Sequence, residues 1–177
     1  QAILNNKLQD KANIPLMMAM DAERGLNMRL DSTYAFPYNM TLGAIKNNDL
    51  VRLTGKQIGQ HVKRIGMHMN FGPVVDINTN PDNPIIGNRS FGEDKENVTE
   101  KAIAFMKGMH DAGVLSSAKH FPGHGDTDSD SHKTLPTIAF DIKRLDSIEL
   151  YPYKKIIKEG VSSIMVAHLN VPALEAR

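Results

Sequence analysis

The chain has 177 residues, with 21 Lys or Arg against 20 Asp or Glu, and its net charge of +1 gives no electrostatic case for nucleic acid or an anionic membrane surface. An apolar content of 41% can build a sizeable core, and no apolar run approaches the roughly 18 residues of a membrane span. Cysteine is absent, which excludes disulfides and thiolate metal sites but selects no compartment.

In chain order, the first apolar run is Pro15 to Met20, and it ends in Asp21. A helix capped by Asn48 or Asp49 follows, with Leu50, Leu53, Ile58 and Val62 near helical spacing. The runs Met67 to Phe71 and Pro73 to Val75 lead into Asp76. A second helix spans about Glu96 to Asp111, with Val98, Ala102, Phe105, Met106 and Met109 on one stripe and Gly113 terminating it. Leu115 to Ala118 ends in Lys119-His120. A third helix, Leu145 to Glu159, is bent or interrupted near its middle by Pro152, and Val161 to Ala167 ends in His168. Short apolar runs alternating with amphipathic helices predict an α/β fold with a parallel sheet, its strands buried on both faces. Every run finishes in ionisable or polar residues. In parallel α/β folds the loops at the carboxyl ends of the strands converge, so the site is expected there, in a barrel mouth or an open-sheet crevice. The connections at 31–42 and 78–94 are long enough to favour function over mere linkage.

The densest chemistry lies in Ser117 to His132, which holds Lys119, three histidines (His120, His124, His132), three aspartates (Asp126, Asp128, Asp130) and a Pro122-Gly123 turn. Lys119-His120 at a strand end can grip hydroxyl or amide groups of a polar ligand; the plain alternative is an exposed Lys beside a buried, satisfied His. In Asp130-Ser131-His132 the carboxylate can hold one imidazole nitrogen and leave the other for proton transfer, and the alternative is a solvated turn. Gly123 and Gly125 would let that loop move. Arg89, between glycines in a long loop, can bind a carboxylate or carbonyl-rich ligand, or else pair with Glu93 or Asp94. His61 and His110 read as helix-surface residues and His68 as core. His120, His124, Asp126, Asp128, Asp130 and His132 are all possible metal ligands, although the His120–His124 spacing falls in a turn and not on a helix.

Lys119-His120-Phe121-Pro122-Gly123-His124-Gly125-Asp126-Thr127, then Asp130-Ser131-His132, then Leu135-Pro136, resembles the signature of family 3 glycoside hydrolases, in particular the bacterial β-N-acetylglucosaminidase branch. Asp21 to Gly25, Asn70 to Asp76, Asn88 to Gly92 and Met165 to His168 resemble the same branch in the same order. The resemblance implies part of a (β/α)8 barrel: about four βα units, with residues 1–177 forming one partial N-terminal catalytic domain. It implies hydrolysis of terminal β-linked N-acetylglucosamine with retention, in peptidoglycan and muropeptide turnover, without a cofactor. Asp21, Arg89, Lys119 and His120 match sugar-binding positions, and Asp130 with His132 matches a His–Asp acid/base dyad. That dyad departs from the usual paired carboxylates of glycosidases.

The family's nucleophile, an aspartate on a later strand, has no counterpart in the nine residues after His168, and Arg24 stands where the branch has Gly or an aromatic. A chain without an initiator Met or an obvious end reads as a central half-barrel fragment, inactive alone. The implied partner is a glycan containing N-acetylglucosamine, with no nucleic acid and no membrane contact from this segment. Compartment stays open between cytoplasmic and periplasmic or exported. A β-glucosidase-type family 3 enzyme, a non-catalytic carbohydrate-binding remnant and a metal-dependent hydrolase remain as alternatives.

Overall fold

In the computed structural model, which describes residues 1–127 and 135–175, four parallel strands lie side by side in chain order. They are β1 (Ala19–Met20), β2 (Met69–Asn70), β3 (Leu115–Phe121) and β4 (Ser163–Val166). Register pairs Ala19 with Met69, Met69 with Leu115, and Ser117 with Ser163. An order without reversal is that of a barrel wall, whereas a doubly wound sheet changes direction at a switch point. Among the described residues the sheet stays open, with β1 and β4 at its two edges. Around it run α1 (Ala2–Lys11), α2 (Asn39–Gly43), α3 (Asn48–Arg64), α4 (Lys95–Asp111), α5 (Ile142–Ser147) and α6 (Tyr151–Lys158). Among the described residues no helix is long and apolar enough to cross a membrane.

The strands differ from the apolar runs in instructive ways. Leu16 and Met17 are exposed and outside β1, because Leu16 is tied back to the Gln9 side chain and not to a neighbouring strand. β3 runs three residues further than its apolar stretch, since Lys119 and Phe121 pair with Met165 and Val166 of β4. His68 is exposed and not core; its Nδ1 accepts the Met18 N–H at 3.0 Å. Of the bend or interruption expected near Pro152, the structure has the interruption: the third helix is two helices. Asp141 caps α5 by accepting the Arg144 N–H, and Pro152 sits in the first turn of α6, where its missing N–H costs nothing.

The apolar stripe of α4 is buried as its spacing predicts. That of α3 is shifted: Leu50 and Leu53 are 50% and 51% exposed, and the helix buries Val51, Gly55, Ile58, Gly59 and Val62. Glycine explains the shift. A Cβ on Gly55 would stand 2.2 Å from the Phe105 carbonyl oxygen, and one on Gly108 would stand 2.0 Å from that of Arg52. The two helices therefore touch backbone to backbone. Ala would ordinarily help a helix by up to about 1 kcal/mol, but Gly108→Ala must push α3 away. We expect a net loss of about 1–3 kcal/mol by thermal unfolding, and an unchanged midpoint would refute this contact.

Candidate active site

The strand ends bring the site together. Asp21 follows β1, Asp76 follows the bridge that Val74 makes to Lys119, and Lys119 and His120 lie in β3, joined by a cis peptide bond. Lys119 is only 2% exposed, so its ammonium must be met by anions. It is met twice: Nζ lies 2.9 Å from Asp21 Oδ1 and 2.8 Å from Glu23 Oε1. Glu23, itself 5% exposed, also accepts a two-pronged contact from Arg89, Nε to Oε2 at 3.0 Å and Nη2 to Oε1 at 2.7 Å. Arg89 Nη1 donates to the Ile85 carbonyl at 3.0 Å, and Arg29 Nη2 holds the second Asp21 oxygen at 2.6 Å. The result is an alternating chain of charges, Arg29–Asp21–Lys119–Glu23–Arg89, along the wall of a cleft of about 430 Å³. Met28, Phe71, Ile85 and Met165 supply its apolar surface.

A second pair sits at the base. The buried carboxylate of Asp76 accepts the backbone N–H of His120 at 3.2 Å, the backbone N–H of His124 at 2.7 Å, and His120 Nδ1 at 2.7 Å. This fixes the His120 tautomer: Nδ1–H donates to Asp76, and Nε2, 3.3 Å from Arg89 Nη2, is left to accept. Burial pushes the Asp76 carboxyl up, but the attraction of His120 and these hydrogen bonds outweigh it and leave the group below its ordinary value. The same contest ends the same way for Asp21, where burial yields to Lys119 and Arg29, and for Glu23, where it yields to Arg89 and Lys119. All three are ionised acceptors at neutral pH. His124, 6.1 Å from His120 between ring centroids, is pushed down by burial and bonds Thr127 Oγ1.

Gly123 and Gly125 allow close packing in the described part of the turn. A Cβ on Gly125 would lie 1.7 Å from the Ile77 carbonyl oxygen, and one on Gly123 2.9 Å from Glu149 Cβ. The turn is clamped to its neighbours up to Thr127.

Of the residues expected to hold the ligand, Asp21, Arg89, Lys119 and His120 all line this cleft. Arg89 pairs with Glu23 and not with Glu93 or Asp94. The expected acid/base pair, Asp130 and His132, lies outside the described residues. His168 is exposed, in a separate hollow with Phe121, Pro122 and Val166, away from the charged cleft. Sequence reasoning placed Asp76 at a strand end without giving it a role, and missed Glu23 and Arg29. An acid two residues beyond Asp21 was an available signal for Glu23, because a buried Lys demands carboxylates. Arg29 had none: it comes eight residues after Asp21, just past a 3-10 turn over Leu26–Met28. Among the described residues no three His, Asp or Glu side chains cluster as a metal site would require. Asp128 joins Asp130 and His132 outside them.

Comparison with known proteins gives these residues a context. The model of the glycosyl hydrolase family 3 N-terminal domain matches residues 1–177. Beta-hexosaminidase A of Pseudoalteromonas piscicida is 41% identical over 173 residues, 94% of this chain and 29% of that protein. The structure of a glycoside hydrolase family 3 β-N-acetylglucosaminidase from Paenibacillus sp. superposes with a TM-score of 0.94 at 42% identity, over 99% of this chain and 34% of that one. NagZ from Neisseria gonorrhoeae, solved in complex with N-trifluoroacetyl-D-glucosamine, superposes with a TM-score of 0.90 at 28% identity, over 99% of this chain and 54% of that one. The chain thus spans 29% to 54% of the length of these three relatives.

Proposed function

The chain belongs to glycosyl hydrolase family 3 through its N-terminal domain, and from that premise we propose that it carries the sugar-binding part of a retaining exo-β-N-acetylglucosaminidase. The observation that carries this reading is the charge chain on the cleft wall. Asp21 and Glu23 are held ionised by Lys119, Arg29 and Arg89, so their spare lone pairs can accept sugar hydroxyls, while Lys119 and Arg89 donate to hydroxyl or acetamido oxygens. His120 Nε2, with its tautomer fixed by Asp76, presents one acceptor to the cleft, for which a sugar hydroxyl would compete with Arg89 Nη2.

In this proposal His132, oriented by Asp130, protonates the leaving oxygen and then takes a proton from the attacking water. An imidazole suits both steps because its pKa lies near neutrality. Retention needs a covalent glycosyl intermediate, and the carboxylate that forms it comes from outside these 177 residues. The substrate is a glycan ending in β-linked N-acetylglucosamine, such as a muropeptide.

The test is hydrolysis of an aryl β-N-acetylglucosaminide by the 177-residue chain and by one extended to the length of its relatives. The extended protein should turn over and lose about 10²–10⁴-fold with His132→Ala, and the shorter chain should not turn over. Robust turnover by the shorter chain would contradict the division of labour. Preference of the extended enzyme for an aryl β-glucoside would contradict the substrate class.

A further inference from the structure

Beside the sugar cleft lies a second hollow of about 290 Å³, lined by Arg24, Tyr38, Asn39 and Asn88 and sharing Glu23, Met28, Arg29 and Arg89 with the cleft. Its distinctive member is Arg24. Every other cation here has a carboxylate: Arg29 has Asp21, Arg89 has Glu23, and Lys119 has both. Among the described residues Arg24 makes no ion pair and no side-chain hydrogen bond. Its guanidinium instead lies over the Tyr38 ring, 4.5 Å from the centroid, which holds the plane of five donors in one place.

The charge balance of the joint wall points the same way. Among the described residues, Arg24, Arg29, Arg89 and Lys119 stand against Asp21, Glu23 and Asp76, so one positive charge is uncompensated beside a half-open hollow, and Arg24 is the cation without a carboxylate. Such a surface draws in anions and raises their local concentration. A stacked, planar guanidinium matches a planar carboxylate better than it matches a neutral hydroxyl.

We propose that the Arg24–Tyr38 hollow is a subsite for a carboxylate carried by the glycan whose terminal sugar occupies the cleft. The inference rests on the sugar-binding reading above and adds to it the acidic class of the ligand and the residue that reads it. Arg24 does not line the sugar cleft itself, so its removal leaves binding of the neutral sugar intact.

The experiment is calorimetric titration of the 177-residue chain with N-acetylglucosaminyl-β-1,4-N-acetylmuramic acid and with its methyl ester, which keeps the bulk and removes the charge. The acid should bind about tenfold more tightly than the ester. Arg24→Met should abolish that difference with ester affinity unchanged, the ester serving as the control for folding, and Arg24→Lys should keep part of it. Equal binding of acid and ester, or a preference that survives Arg24→Met, would overturn this inference alone. Failure of both compounds to bind would overturn the sugar-binding reading and this inference with it.

Discussion

Lys119→Met should cost about 3–5 kcal/mol of folding stability, because it removes the shared cation from two carboxylates and leaves a buried methionine of similar length beside them. Glu23 is only 5% exposed and Asp21 lies on the same wall, so their desolvation is not returned when the ammonium goes. Arg29 and Arg89 still hold one carboxylate each, which places the expected loss toward the lower end of that range. Urea unfolding measures it. Pairing the change with Glu23→Gln should recover part of the loss, since the two side chains touch at 2.8 Å and their effects cannot add independently. A loss below about 1 kcal/mol would mean that the carboxylates are relieved some other way.

Asp76→Asn is the second large effect. The aspartate accepts two backbone N–H groups and the His120 ring, and an amide turns half of that acceptor surface into donors. A loss of about 2–4 kcal/mol is expected, together with loss of sugar binding as His120 is freed to rotate.

The acid limb of stability gives an independent readout. The folded-state pKa values of Asp21, Glu23 and Asp76 all lie below their ordinary values. Below the unfolded values of about 4, the unfolded chain therefore binds more protons than the folded one. The stabilisation is complete above that range and is lost as pH falls through the lowered folded values. Asp76→Asn and Lys119→Met should each flatten this fall in denaturation measured between neutral and acidic pH; an unchanged acid limb in both would contradict the ionised-acceptor picture.

Much of this was readable from residues alone. The βα alternation, the polar strand ends and the position of Lys119-His120 at one of them follow from periodicity and from the placement of chemistry at apolar termini. What stayed hidden was set by tertiary contact. Gly55 and Gly108 carry no hydrophobic signal, yet they fix how α3 lies on α4, and so of the stripe Leu50, Leu53, Ile58 and Val62 only the last two face inward. Pro152 looks the same in sequence whether it bends one helix or begins another. Glu23 and Arg29 join the site only because Lys119 is buried, a fact that appears once the strands are side by side. Arg24 was visible as a departure from the family pattern, but its lack of a carboxylate partner was not.

The central claim, that the charged wall at the strand ends holds a terminal amino sugar, is tested most directly by a crystal of the 177-residue chain soaked in N-acetylglucosamine. The sugar should lie in the cleft with its hydroxyl or acetamido oxygens within hydrogen-bond distance of Asp21, Lys119, His120 and Arg89. An empty cleft at saturating sugar, or a sugar bound away from those four residues, would contradict it.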